Sequence, residues 1–180
     1  MKAKLLITLL VFTLSTGVKL KAQTNQLVKR FEIEAKVGTT FPVDKFVGSK
    51  KLGPQFGLEG RWNFDKPFDV GLEVYMGSAI RDYEGHTLSN RIFSFLSVYG
   101  DYNFNRGSKV APFVGVGIGD VKCDVIQGSE GREGMSLMVV PRVGVELWNH
   151  LRLTADLRLA RKGYNTVGIS IGYTFGGGRK

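Results

Sequence analysis

The residues best suited to chemistry lie in the stretch "EGHTLSN", which brings His86, Ser89 and Asn90 close together. A histidine that takes the proton of a serine hydroxyl activates it for attack on an acyl carbonyl. The spacing works against that use. His86 and Ser89 are three residues apart, which on an extended strand places them on opposite faces. Glycine, serine and asparagine are also ordinary turn formers, and the stretch reads as part of a long loop. "GVGIG" (Gly115 to Gly119) superficially suggests a phosphate cradle, but it lies in a strand pattern and precedes no helix. His86 and His150 are too few and too far apart in the pattern for a metal site, and Cys123, the only cysteine, excludes an internal disulfide. The expected catalytic, metal and cofactor sets are therefore empty, and the chain reads as a non-enzyme.

The elements around these residues say more. In "LRLTADLRLA", Leu151, Leu153, Ala155, Leu157 and Leu159 alternate with Arg152, Thr154, Asp156 and Arg158. That is a strand with one apolar and one polar face. Alternation alone does not say which face meets water, because a soluble carrier and a membrane barrel share the period. Read the same way, the chain yields eight strands: Arg30 to Phe41, Pro54 to Phe64, Phe68 to Gly77, Ile92 to Phe104, Val110 to Gly119, Leu137 to Trp148, Leu151 to Ala160 and Tyr164 to Phe175. Most are near the roughly 9 to 11 residues of a tilted membrane-spanning strand.

The connections differ by side. "DKP", "NRGSK" and "NH" are short, whereas Pro42 to Gly53, Ser78 to Arg91 and Asp120 to Ser136 are long; "RKG" is short although it belongs to the long side. Short turns on one side and longer loops on the other suit a transmembrane barrel. Phe31, Trp62, Phe64, Phe68, Tyr102, Phe104, Trp148, Tyr173 and Phe175 fall at strand ends on the short-turn side, and Phe41, Tyr83, Phe93 and Tyr164 toward the other. Two aromatic bands flanking aliphatics are the pattern of membrane-interface girdles.

Between the aliphatics sit Glu32, Glu34, Lys36, Glu59, Arg61, Asp69, Glu73, Asp101, Arg142, Glu146, Arg152, Asp156 and Arg158, with Gly71, Gly115, Gly117 and Gly144. An eight-stranded barrel is only just wide enough for its own side chains, so charges of both signs inside it must pair. The leucines of "LRLTADLRLA" are then expected to face lipid and its charges a packed polar lumen. The predicted fold is all-β, an eight-stranded antiparallel up-and-down transmembrane β-barrel.

The N-terminus fits export. Lys2 and Lys4 precede the apolar run Leu5 to Leu14, and Ala22 is a suitable last residue before cleavage, so residues 1–22 read as a signal peptide and 23–180 as one barrel domain. The apolar run is well short of the roughly 20 residues a spanning helix needs. Removing four lysines from the 25 Lys and Arg leaves 21 against 16 acids, a scattered excess that gives no footprint for nucleic acid.

"APFVGVGIGD" and "NTVGISIGYTF", with "GLEGRWNF" and "FDVGLEVYMGS", resemble strands of the small outer-membrane β-barrel superfamily, the OmpX/OmpA-like barrel domain of Gram-negative bacteria, Bacteroidetes-type porin-family proteins included. The resemblance implies an outer-membrane location. It implies contact with outer-membrane lipid and lipopolysaccharide. It also implies a closing strand read by the barrel-assembly machinery, here through Gly168, Tyr173 and Phe175, with Ser170 where that signal usually has glycine. "EGHTLSN" is similar to the His-x-Ser-Asn arrangement of lipid A deacylases, but one residue longer. The function expected from this architecture is a scaffold whose outer loops meet extracellular or envelope partners. A narrow solute pore is the alternative, with an acyl hydrolase or a soluble lipocalin-like carrier further behind.

Overall fold

In the computed structural model, residues 30–43, 49–64, 67–83, 86–125, 134–160 and 165–176 are described. The expected signal peptide and Tyr164 lie outside them. The strands are β1 (Phe31–Pro42), β2 (Ser49–Lys51), β3 (Gly53–Asn63), β4 (Phe68–Tyr83), β5 (His86–Asn103), β6 (Val110–Val125), β7 (Gly134–Leu147), β8 (Leu151–Arg158) and β9 (Thr166–Phe175). All pairings are antiparallel, and the β4–β5 and β1–β9 pairings close the sheet into a ring of eight. The short β2 continues β3 along the same partner: Lys51 opposes Ile80 and Gln55 opposes Gly77, an offset of one residue taken up around Leu52.

Alternation along each strand sets the two faces. In β8 the arginines, Thr154 and Asp156 are buried while Leu153 is 40% exposed, and in β9 burial alternates without a break. Leu58, Val74, Val116 and Ile169 are among many large apolar side chains more than half exposed. A soluble carrier requires the reverse arrangement, so that reading does not hold. Among the described residues no helix is long and apolar enough to cross a membrane, and the apolar exterior belongs to strands.

Two long loops expected from the sequence are mostly strand. Ser78 to Arg91 forms the paired ends of β4 and β5, down to Tyr83 opposite His86. Asp120 to Ser136 continues as β6 and β7, down to Cys123 opposite Gly134. The polar and turn-forming residues in these stretches mask the ladder, because strands beyond an apolar band need no apolar face. His86, Ser89 and Asn90 consequently lie on β5, not in a loop. The first expected loop, Pro42 to Gly53, contains β2.

One irregularity interrupts the wall. Between Phe93 and Ser97 the β5 register shifts against both β4 and β6, leaving one extra residue in β5. Phe95 and Leu96, adjacent in sequence, are both exposed on the outer face, as a β-bulge requires. The Asp120 carboxylate on β6 closes the gap: the Phe95 and Leu96 amides donate to its two oxygens at 3.2 and 2.7 Å.

Candidate functional site

The most constrained chemistry of the molecule lies in the lumen. Seven buried carboxylates (Glu32, Glu34, Glu59, Asp69, Glu73, Asp101, Asp156) face five buried cations (Lys36, Arg61, Arg142, Arg152, Arg158), while Glu146 stands at the short-turn mouth, 13% exposed. Isolated charges in such a place would be strongly disfavoured, so their partners decide whether the interior is stable.

Arg142 is the centre. Its Nη1 and Nη2 donate to the two Glu59 oxygens at 2.7 and 2.8 Å, and its Nε and Nη2 to the two Asp101 oxygens at 2.8 and 2.7 Å. A planar guanidinium with five donors can hold two carboxylates in this forked way, and a lysine cannot. The rest of the network branches from these anions. Lys36 lies 3.2 Å from Glu59 and pairs with Glu73; Arg152 pairs with Asp101 and stands 3.8 Å from Glu34. Arg158 donates to Glu73 at 2.8 Å and to Asp156 at 3.2 Å. Toward the mouth, Arg61 stands 3.4 Å from Glu32, 3.6 Å from Glu34 and 3.9 Å from Glu146. Arg106, in the β5–β6 turn, stands 3.8 Å from Asp69, and burial pulls its guanidinium below the ordinary value while Asp69 pulls it back.

Glycines make the room for these long side chains. The space a Cβ would take is filled at Gly71 by Glu59, at Gly115 by Asp101, at Gly117 by Tyr99 and at Gly172 by Glu34. Three inward rings, which sequence patterning did not single out, support the arginines from their faces. Tyr99 lies 3.9 Å from the Arg142 guanidinium carbon, Phe113 3.6 Å from that of Arg152 and Tyr75 3.3 Å from that of Arg158. The Tyr99 hydroxyl donates to Glu73 at 3.1 Å and the Tyr75 hydroxyl to Gln55 at 3.2 Å. Their parity with Glu73, Asp101 and Gly115 along β4, β5 and β6 was the available signal.

The lumen is not polar throughout, as the sequence led us to expect. On the long-hairpin side Ile92, Val121, Met138 and Val140 are buried together with Tyr75, Ala79 and Tyr99. A charge layer and an apolar layer are therefore stacked along the axis.

The aromatic residues point the other way. Phe31, Trp62, Phe64, Phe68, Tyr173 and Phe175 are about half exposed on the outer surface at the short-turn end, with Tyr102 and Phe104 beside them. Phe68 meets Tyr102 edge-on at 5.1 Å, Tyr102 meets Phe104 at 4.9 Å, and Tyr173 meets Phe175 at 4.9 Å. Of the β9 residues expected to signal assembly, Gly168 faces inward against Asp156, and Tyr173 and Phe175 face outward. Phe41 and Phe93 are on the outer face at the other end, whereas nothing is described of the Tyr83 side chain.

The residues of the hydrolase-like stretch share one strand. His86 begins β5 and Ser89 follows three residues on in the same strand, while nothing is described of the Ser89 and Asn90 side chains. His150 lies at the opposite end of the barrel, where its Nδ1 donates to the Trp148 carbonyl at 2.8 Å.

Solved structures share this architecture. Neisserial surface protein A matches with a TM-score of 0.61 at 14% identity, over 83% of this chain and 98% of that one. The N-terminal β-barrel domain of Pseudomonas aeruginosa OprF matches at 0.51 and 15%, over 83% and 100%. The Yersinia pestis outer membrane protein Ail in a bilayer nanodisc gives 0.49 and 18%, over 80% and 99%. At these identities the likeness to the first two is one of fold. No curated protein matches the chain in sequence. The family model "Outer membrane protein beta-barrel domain" matches residues 9–175, so the ring of eight strands, the apolar exterior and the charged interior belong to a member of that outer-membrane family of Gram-negative bacteria.

Proposed function

We propose that the protein is a closed, non-enzymatic outer-membrane scaffold, delivered by a cleaved signal peptide, that holds its β4–β5 and β6–β7 hairpins beyond the membrane for contact with extracellular or envelope partners. The observation that carries this reading is Arg142 gripping Glu59 and Asp101 at once across the lumen. The apolar layer around Ile92 and Met138 behind it supports a closed interior. Water-filled channels of this class need about 16 strands. Display is supported by strand length: β4 and β6 have 16 residues and β5 has 18. A tilted span uses about 9 to 11. The short turns, with their aromatic belt, face the periplasm in this arrangement, and Gly168, Tyr173 and Phe175 offer the closing strand to the assembly machinery.

The test is single-channel conductance of the folded protein in a planar bilayer. A silent wild-type barrel is expected. Reproducible openings would overturn the scaffold and make a narrow pore the function.

A further inference from the structure

The β5 bulge leaves a depression in the outer wall, and we infer that this groove holds an acyl chain of a phosphate-bearing lipid of the outer leaflet, lipid A. The groove has a volume of about 410 Å³ and is walled by Phe56, Leu58, Val74, Met76, Phe93 and Phe95 from three adjacent strands. Its cause is local. The ladder between β4 and β5 is interrupted between Glu73 and Tyr75, and the extra β5 residue spreads the outward side chains on either side. Asp120 holds that geometry from β6 with both carboxylate oxygens engaged by backbone amides.

Depth and charge select the occupant. Along β4, Met76 lies nearer Ile80 than the girdle ring Phe68, so the groove sits in the half of the apolar band toward the long hairpins. One exposed lysine stands beside it and another lies beyond its long-hairpin end. Lys51 on β2 opposes Ile80 in register, and Lys122 on β6 opposes Phe93, a wall residue of the groove. An apolar groove in a lipid-facing wall, with one cation beside it and one beyond its long-hairpin end, matches an amphiphile whose chains run down the wall and whose phosphates lie above them. A second protein would require a broad contact face, whereas this groove is small and continuous with the apolar outer surface of the strands. The inference rests on the membrane orientation proposed above, but not on whether the lumen conducts.

The experiment uses the full chain folded in nanodiscs that contain lipid A and phosphatidylethanolamine in both leaflets, so that orientation does not affect the readout. Protein is released and weighed by native mass spectrometry, with heat-modifiable gel mobility as the check that each variant is folded. One retained lipid A per wild-type chain is expected. Filling the slot with Val74→Trp should abolish the adduct, Lys51→Gln with Lys122→Gln should weaken it, and Ile169→Trp on the lipid face of β9 should leave it intact. Absence of the wild-type adduct, equal retention by folded Val74→Trp, or equal retention of phosphatidylethanolamine would each overturn the assignment.

Discussion

Arg142 on β7 and Asp101 on β5 form a two-pronged ion pair although all of β6 runs between their strands. The residue between them in register is Gly115, which opposes Asp101 on one side and Arg142 on the other. Any larger residue there would stand where the Asp101 carboxylate lies. Replacing Arg142 with methionine takes the forked partner from two buried carboxylates, leaving Glu59 only Lys36 and Asp101 only Arg152 among the described residues, and should cost about 3 to 5 kcal/mol. Arg142→Lys should recover only part of this, because an ammonium cannot hold both forks. Urea unfolding of the barrel in lipid vesicles reads both.

The outer face should respond in the opposite sense to charge. Leu72 projects into the apolar band on β4, four residues from the outward ring of Phe68, and is 52% exposed. Leu72→Arg should destabilise the folded barrel by about 2 to 4 kcal/mol in a bilayer. A soluble barrel would tolerate the same change at so exposed a position, so the vesicle unfolding midpoint separates the two.

Asp120 is a structural part of the bulge. Asp120→Ala removes the acceptors of the Phe95 and Leu96 amides and should cost about 2 kcal/mol, near the value for bonds to a charged group. Amide exchange at those two positions should accelerate well beyond that of Val98, which stays in the ladder.

The β7–β8 turn carries two left-handed residues, Trp148 at φ 52° and Asn149 at φ 59°. Asparagine tolerates this region and β-branched residues do not. Asn149→Val should therefore lower stability by about 1 to 2 kcal/mol, and Asn149→Gly should leave it unchanged or slightly higher. Thermal melts of the two variants in the same detergent make the comparison.

What the sequence disclosed and concealed follows the same physics. Arg152, Asp156 and Arg158 were legible as one face because lipid forbids apolar and charged residues to mix on the other. The hairpin ends past Ser78 and Asp120 were not, since outside the bilayer that rule lapses and polar residues occupy both faces. Ile92, Val121 and Met138 were concealed for a related reason: an apolar residue in a membrane strand reads as lipid-facing, and only its register shows that it fills the interior. The bulge did leave a trace. Phe93 and Phe95 share one parity and Leu96 and Val98 the other, a change of phase within one strand. The pairing of particular arginines with particular acids left none, because it depends on which strands neighbour one another around the ring.

Arg142 and Glu59 are 83 residues apart and Arg158 and Glu73 are 85. Neither pair can form within a hairpin, and both wait for distant parts of the chain to meet. A partly assembled sheet would enter the bilayer with bare ions on its inner face, whereas the complete ring enters with them matched. Charge neutralisation thus couples the matching of the interior ions to closure of the ring, since the last seam to close also brings the distant partners together.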